Sequence, residues 1–313
     1  MIMNTKIKYI GKAEYCYSNS TAMLLASIGE SISPNKIEVL SGIGLGVFLD
    51  ENSNSLFFSN LCAEPDEGIS RALNILGFSY DEKNSEDSGN PPFDELRKVL
   101  ASGPAVLGPL DLGLLVYNPS STGAIGADHF VLAHAMDNER VYINDPYGFP
   151  QVSLTIEQLK EAWRADKISY KRGYYRFWTN PRRIKSPTEK EIYESAMETF
   201  VELYEASRAK AKKNKRLIGS EAIIHEVDRI RQKIAAPDEI GFLTGFMLPM
   251  SASRALDYAE FFDAYNSKLA ELKRNQAALF GKAQVLAVGK DWENFYTTMT
   301  ELAKIEDSFG KNF

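Results

Sequence analysis

A cysteine at position 16 and a histidine at position 129 are the two residues of this chain best suited to covalent chemistry together. A free thiol is mostly protonated at neutral pH, so a nucleophilic cysteine needs a cation or a helix N-terminus beside it. The run STAMLLASIGE after Cys16 has Ala22, Met23 and Ala26 at helical spacing and Gly29 where a helix would stop, which predicts Cys16 at or near a helix N-terminus. The amides there carry the positive end of the macrodipole and can stabilise an oxyanion, and an imidazole within reach can take the thiol proton. The Cys16 amide is one candidate oxyanion donor. Ser18, Asn19 or another backbone amide is a candidate for the second.

The third member of such a site orients the base. HFVLAHAMDNERVYINDPYG reads as two β-rich runs flanking the turn-forming Asp137-Asn138, so an antiparallel hairpin brings residues near 144 to 148 opposite His129. Asp145 is the expected orienter, accepting the imidazole N–H and fixing its tautomer. Asn144 is the adjacent alternative, and the hairpin register decides between them. Singly, each residue has an ordinary reading: a core thiol, a hydrogen-bonded strand histidine, an Asp-Pro turn. In this order along the chain they form the pattern of a papain-like cysteine enzyme. His134 is expected on the opposite strand face from His129, and His225 in a C-terminal helix, so neither is the expected base.

The elements that must position these residues are mixed. Helices are expected over Asp66–Leu76, over Phe93–Leu100 and, from a Thr155–Gln158 capping box, through Trp163. AVLGPL reads as a short buried strand, KISYKRGYYRFWTN as a strand pair or extended edge, and DEKNSEDSGNPP at 81–92 as a surface loop. At NPRRIKSPTEKE, Ser186 can cap a helix with Pro187 in its first turn and Glu189 closing the box. Helices are then expected near 187–213, 220–235, 252–280 and 290–308, with Phe261, Tyr265, Leu269 and Leu272 at spacings of three and four. The expectation is an α+β chain: a papain-like catalytic domain over 1–185, then an all-helical C-terminal domain over 186–313.

Composition narrows the classes. The 313 residues are 44% hydrophobic and 25% charged with a net charge of −6, an ordinary globular balance that argues against general nucleic-acid binding. No apolar run suits a signal peptide or a membrane span, so a cytoplasmic location without membrane attachment is expected. Cys16 and Cys62 are too few for a disulfide framework and, with three histidines, poor material for zinc, so neither metal nor cofactor is expected. Cys62 reads as a small buried hydrophobe.

The segments EYCYSNSTAMLLASIGE, SGIGLGVF and ADHFVLAHAMDNERVYINDPYG resemble the N-terminal domain family of butirosin biosynthesis protein H, a cysteine acyltransferase, over roughly residues 8–180. They resemble more distantly the leader peptidases fused to bacteriocin transporters, which share a Cys, His-Phe-Val and Asp-Pro pattern. The resemblance implies a papain-like fold with Cys16, His129 and Asp145 as nucleophile, base and orienter, and transfer of an acyl group from a small-molecule or carrier-protein thioester to an amine. It also makes the Gly42, Gly44 and Gly46 loop a candidate cleft wall, although a loop needing positive φ or close backbone approach is the simpler reading. One departure matters: papain-like peptidases carry a glutamine shortly before the cysteine, and residues 1–15 contain none. That weakens hydrolysis more than transfer.

Between Lys160 and Lys185 nine basic and two acidic residues are interleaved with Tyr170, Tyr174, Tyr175, Phe177 and Trp178. A solvated face with its aromatic side on the core is the first reading, docking of an acidic carrier protein the second, and no nucleic-acid recognition motif accompanies the patch. The run RAKAKKNKR at 208–216 suits a helix C-terminus. The leading function is cysteine acyl transfer. A peptidase or amidase using the same triad is the alternative, and a catalytically silent binding module the second alternative.

Overall fold

The computed structural model describes residues 7–11 and 14–313; the first six residues, read above for a targeting segment, lie outside them. The chain runs α1 (Cys16–Ala26), α2 (Pro34–Ser41), β1 (Phe48–Asp50), β2 (Ser55–Phe57), α3 (Pro65–Ile75), β3 (Phe78–Ser85), α4 (Phe93–Leu100), β4 (Ala105–Asp111), β5 (Asp128–Met136), β6 (Arg140–Asp145), β7 (Phe149–Thr155), α5 (Ile156–Arg164) and β8 (Tyr174–Arg183). Six helices follow: α6 (Glu189–Asn214), α7 (Gly219–Arg231), α8 (Pro237–Phe242), α9 (Leu248–Asp263), α10 (Ser267–Val288) and α11 (Trp292–Gly310), with a π turn over Leu243–Met247 between α8 and α9. The fold class is the expected one, α+β with a helical C-terminal region.

Two compact units divide the described residues: those up to 37 with 64–187, and 38–63 with 188–313. The first is a six-stranded antiparallel sheet in the order β3-β8-β4-β5-β6-β7, with α1 packed on β5 and β4 and with α4 and α5 also against the sheet. A helix with the cysteine at its start, laid on an antiparallel sheet that carries the histidine, is the papain-like arrangement. One core joins Leu107, Val131, Ile143, Leu159, Trp163 and Phe177. Burying each of these side chains contributes about 1.5–3 kcal/mol. The Trp163 indole N–H keeps a partner there, donating to the Arg176 carbonyl at 2.9 Å.

Several local expectations hold. Helix α4 covers the predicted span, and α5 opens with both arms of the Thr155–Gln158 box. Others do not. KISYKRGYYRFWTN does not form an edge: its C-terminal part is β8, between β3 and β4, because Phe177 and Trp178 alternate into two buried faces. The acidic run from 81 is strand through Ser85, since pairing with β8 and the Lys83–Glu95 ion pair tolerate its polarity. Helix α6 is capped by Thr188 with Glu191 at N3, not by Ser186 with Glu189. The single helix expected over 252–280 breaks where Asn266 caps α10 through the Leu269 amide.

The second unit takes residues 38–63 from within the range expected for the first. Leu49 N donates to Leu217 O at 3.1 Å, Ser207 Oγ to Asn60 Oδ1 at 2.8 Å, and Arg254 Nε to the buried Glu38 carboxylate at 2.8 Å. Gly44 is required there because a Cβ would lie 2.9 Å from the Tyr258 ring, and Gly46 because its φ is +91°. Close approach and positive φ thus account for these glycines within the second unit. Lys273, also in this unit, is buried and pushed down to about 8 by desolvation against the opposing charge of Glu306.

Candidate active site

Cys16 is the first residue of α1; Tyr15 as N-cap gives the helix no side-chain cap bond and the first turn holds no acid, so the thiol sits at the positive pole of the helix. His129 is the second residue of β5, opposite Leu110 of β4. It hydrogen-bonds Cys16 on one side. On the other, its Nε2 lies 2.8 Å from Asp145 Oδ1, which leaves Nδ1 as the ring nitrogen facing the thiol. Cys16, His129 and Asp145 therefore come together as one chain of contacts.

The hairpin register explains the third member. Leu132 pairs with Asn144, a bulge at His134 shifts the rest of the ladder, and Asp137 ties the turn by accepting from the Glu139 and Arg140 amides at 2.8 Å each. Asp145 thereby ends β6 beside His129. The Asn144 amide oxygen accepts from the Gln151 backbone N–H at 2.9 Å and from its side chain at 3.2 Å, so it is engaged with β7 and does not orient His129. The choice left open by the sequence falls to Asp145.

Asp145 is buried and accepts three hydrogen bonds: from His129, from the Tyr147 amide at 2.7 Å, and from the Tyr117 hydroxyl at 2.7 Å on its other oxygen. Its backbone carbonyl accepts from the Tyr9 hydroxyl at 2.8 Å, which in turn accepts from the Gly148 amide at 3.1 Å. Burial works to raise the Asp145 pKa, but the facing His129 charge and these donors outweigh it and hold the carboxylate below its ordinary range. Burial likewise opposes a charge on His129. The Asp145 charge and hydrogen bond, then those of Cys16, prevail and push His129 up to about 10. The imidazole is thus held protonated at neutral pH, ready to donate a proton.

Ser18 and Asn19, the candidates for a second donor, have buried side chains in α1, and Asn19 Nδ2 donates to the Tyr15 carbonyl at 2.7 Å. The Cys16 amide lies at the start of α1. Cys62 is half-exposed rather than buried. Tyr117, Tyr147 and Tyr9 were not singled out from sequence: Tyr147 lies two residues past Asp145, a position that draws attention, but Tyr117 and Tyr9 reach the site only through the tertiary fold. The Tyr147 ring meets His129 edge-on at 5.8 Å.

Most of the basic run is paired with acids within its own unit. Arg172 pairs with Asp66 at 2.9 Å, Arg183 with Glu30 at 2.6 Å, Arg176 with Glu82, and Lys160, Arg164 and Lys171 each have an acidic partner. Six of the nine cations are so engaged, while the aromatic residues Tyr175, Phe177 and Trp178 are buried. His134 is buried in the β5 bulge and His225 is exposed on α7. Among the described residues, no cluster of three or more His, Cys, Asp or Glu is arranged to hold a metal ion, and no helix is long and apolar enough to cross a membrane.

Comparison with known proteins places the chain. The model of the YobF C-terminal domain matches residues 212–313. Protein YobF of Bacillus subtilis (strain 168) is 42% identical over 301 residues, covering 96% of each chain. The chain belongs to the YobF family. Two solved structures align with part of this YobF-family chain. A putative C39-like peptidase from Bacillus anthracis is 16% identical, covering 58% of this chain and 98% of its own, with a TM-score of 0.41. The peptidase domain of Streptococcus ComA, a bi-functional ABC transporter involved in a quorum-sensing pathway, is 14% identical, covering 55% and 98%, with a TM-score of 0.36.

Proposed function

We propose that this protein is a papain-like cysteine enzyme that transfers an acyl group through a Cys16 thioester. The observation that carries the reading is the continuous contact from Cys16 through His129 to Asp145, with the thiol at the N-terminus of a helix whose first turn holds no acid. The Cys16 thiolate attacks an acyl thioester. The new C–S bond forms, the old one breaks, and His129 gives its proton to the departing thiol. An amine then attacks the acyl-enzyme: the C–N bond forms, the Cys16 C–S bond breaks, and the surplus amine proton passes to His129, restoring the thiolate–imidazolium pair.

Transfer is favoured over hydrolysis by the resemblance to the butirosin acyltransferase family and by the lack of a glutamine before Cys16. Hydrolysis of a peptide or amide by the same triad is the second reading, supported by the Cys, His-Phe-Val and Asp-Pro pattern shared with leader peptidases. The test is intact-mass measurement after mixing with an acyl thioester, with and without added amines. An adduct absent from Cys16→Ser and discharged faster as amine is added supports transfer; discharge at a rate indifferent to amine overturns it in favour of hydrolysis.

A further inference from the structure

The second unit carries a cleft that the triad does not use. Its volume is about 340 Å³, within the range of small-molecule sites and equal to the share of roughly eleven waters. Residues 45–47 and 60–61, one face of α6, the start of α7 and the end of α11 line it, and all of them belong to that one unit.

Its wall is polar where a core would be apolar. Asn60 at 4% exposed, Glu306 at 5%, Ser207 at 6% and Tyr204 at 7% all line it. Buried polar groups are nearly always paired, so those left over call for a partner. The Asn60 oxygen accepts from the Cys62 amide and from the Ser207 hydroxyl, each at 2.8 Å, which leaves its amino group without a partner among the described residues. Glu306 accepts from the Gln276 side chain through Oε2 at 2.7 Å, which leaves Oε1. The Tyr204 hydroxyl is enclosed and has no hydrogen bond. Helix α7 starts at the same cleft without a side-chain cap, and the Ser220 and Glu221 amides of its first turn have no acceptor within the helix.

The lining decides what can fill the cleft. Lys273, buried in the same unit, acts on Glu306 as its counter-charge. The Arg208 guanidinium is held by the Gly310 and Phe313 carbonyls at 2.7 and 2.9 Å. A charged ligand would bring one more charge against this balanced wall at a desolvation cost. What is unmet is a mixture: a donor on Asn60, an acceptor on Glu306, and a Tyr204 hydroxyl that can do either. An ammonium only donates and a carboxylate only accepts, whereas a hydroxyl does both. Several separate points of this kind need a skeleton with several hydroxyls. We infer that the cleft binds a small neutral polyol of monosaccharide size, whose hydroxyls pair with Asn60, Tyr204 and Glu306.

The test is saturation-transfer NMR on the full chain with glucose, galactose and myo-inositol, alongside glucosamine and glucuronate, which put a positive or a negative charge on the same ring. At least one of the neutral three should receive saturation, and the charged pair should bind at least about tenfold more weakly than it. Tyr204→Phe keeps the ring and removes only the unpaired hydroxyl, so the fold is retained while affinity for that polyol falls about fivefold. Asn60→Asp keeps the oxygen that holds Ser207 and turns the donor into an acceptor, and should weaken binding at least as much; Tyr204→Phe decides even where this second variant does not fold. Absence of transfer to every neutral polyol, as from a cleft filled by water alone, overturns the inference. So does a charged sugar that binds as well as the neutral ones, or an affinity that Tyr204→Phe leaves unchanged.

Discussion

The Tyr117 hydroxyl donates to Asp145 Oδ2 at 2.7 Å while His129 occupies Oδ1, so the carboxylate is held from both oxygens by groups on different elements. A donor on the second oxygen fixes the plane of the carboxylate and thereby the angle at which it meets the imidazole. Tyr117→Phe removes that donor and keeps the ring. Acylation should slow by about tenfold, matching loss of a hydrogen bond to a charged group. The acid limb of the pH–rate profile should move upward, because Asp145 loses one of the donors that keep its pKa low. A profile of unchanged shape would mean that Tyr117 serves packing alone.

Asp145→Asn should slow Cys16 acylation by on the order of 100-fold or more, since the amide cannot stabilise an imidazolium as the anion does. Asn144→Asp should leave the rate within a few-fold, because its side chain faces Gln151. Measured acylation rates of the two variants with one thioester decide the matter, and the reverse ranking would hand the orienting role to Asn144.

Iodoacetamide labelling should favour Cys16 over Cys62 at neutral pH, and His129→Ala should abolish the preference. Both thiols are partly exposed, and the His129→Ala comparison separates reactivity from access. Peptide mapping after short exposure measures it. Equal, slow labelling of the two would point to a silent binding module.

His129 supplies a pH signature whose sign follows from its raised pKa. In the folded chain it titrates at about 10, against about 6.5 when unfolded. Its stabilising contribution is therefore complete below about pH 6.5 and is lost as pH rises through about 10. Melting temperature should decline over that window, and Asp145→Asn should flatten the decline by removing the largest interaction that raises the pKa. The alkaline limb of acyl transfer should fall in the same upper range.

His134 predicts the opposite slope. It is buried, neither ring nitrogen has a hydrogen-bond partner in the protein, and burial alone lowers its pKa. Its unfolded form takes up a proton first as pH falls through about 6.5, so stability drops on acidification. His134→Leu removes the unpaired polar atoms at similar volume. It should raise stability by about 1–2 kcal/mol at pH 7 and make the acid decline shallower. Denaturation midpoints at pH 7 and pH 5 test both.

What the sequence revealed and what it hid divide along physical lines. The Cys16 helix start, the hairpin and the Thr155 box depend on neighbours within a few residues, and local rules reach that far. The choice between Asp145 and Asn144 turned on a one-residue bulge at His134, which no propensity encodes. The central position of β8 was hidden because its flanking arginines look like surface, while their partners Asp66, Glu82 and Glu30 lie about a hundred or more residues away in the chain. Tyr117 was invisible for the same reason: its role exists only once β6 lies beside the loop that precedes β5.

The insertion of residues 38–63 into the second unit also bears on the order in which the protein can be completed during synthesis. That segment leaves the ribosome early, yet Leu217, Ser207 and Arg254, which hold it, are made more than 140 residues later. The β1–β2 hairpin, with Phe48 stacked on Phe57 at 5.2 Å, must wait without its helical support while the intervening sheet is translated. A truncation that stops before α6 therefore leaves this apolar hairpin uncovered, and one that begins at Thr188 lacks it altogether. Neither separates the protein cleanly at the point where its sequence changes character.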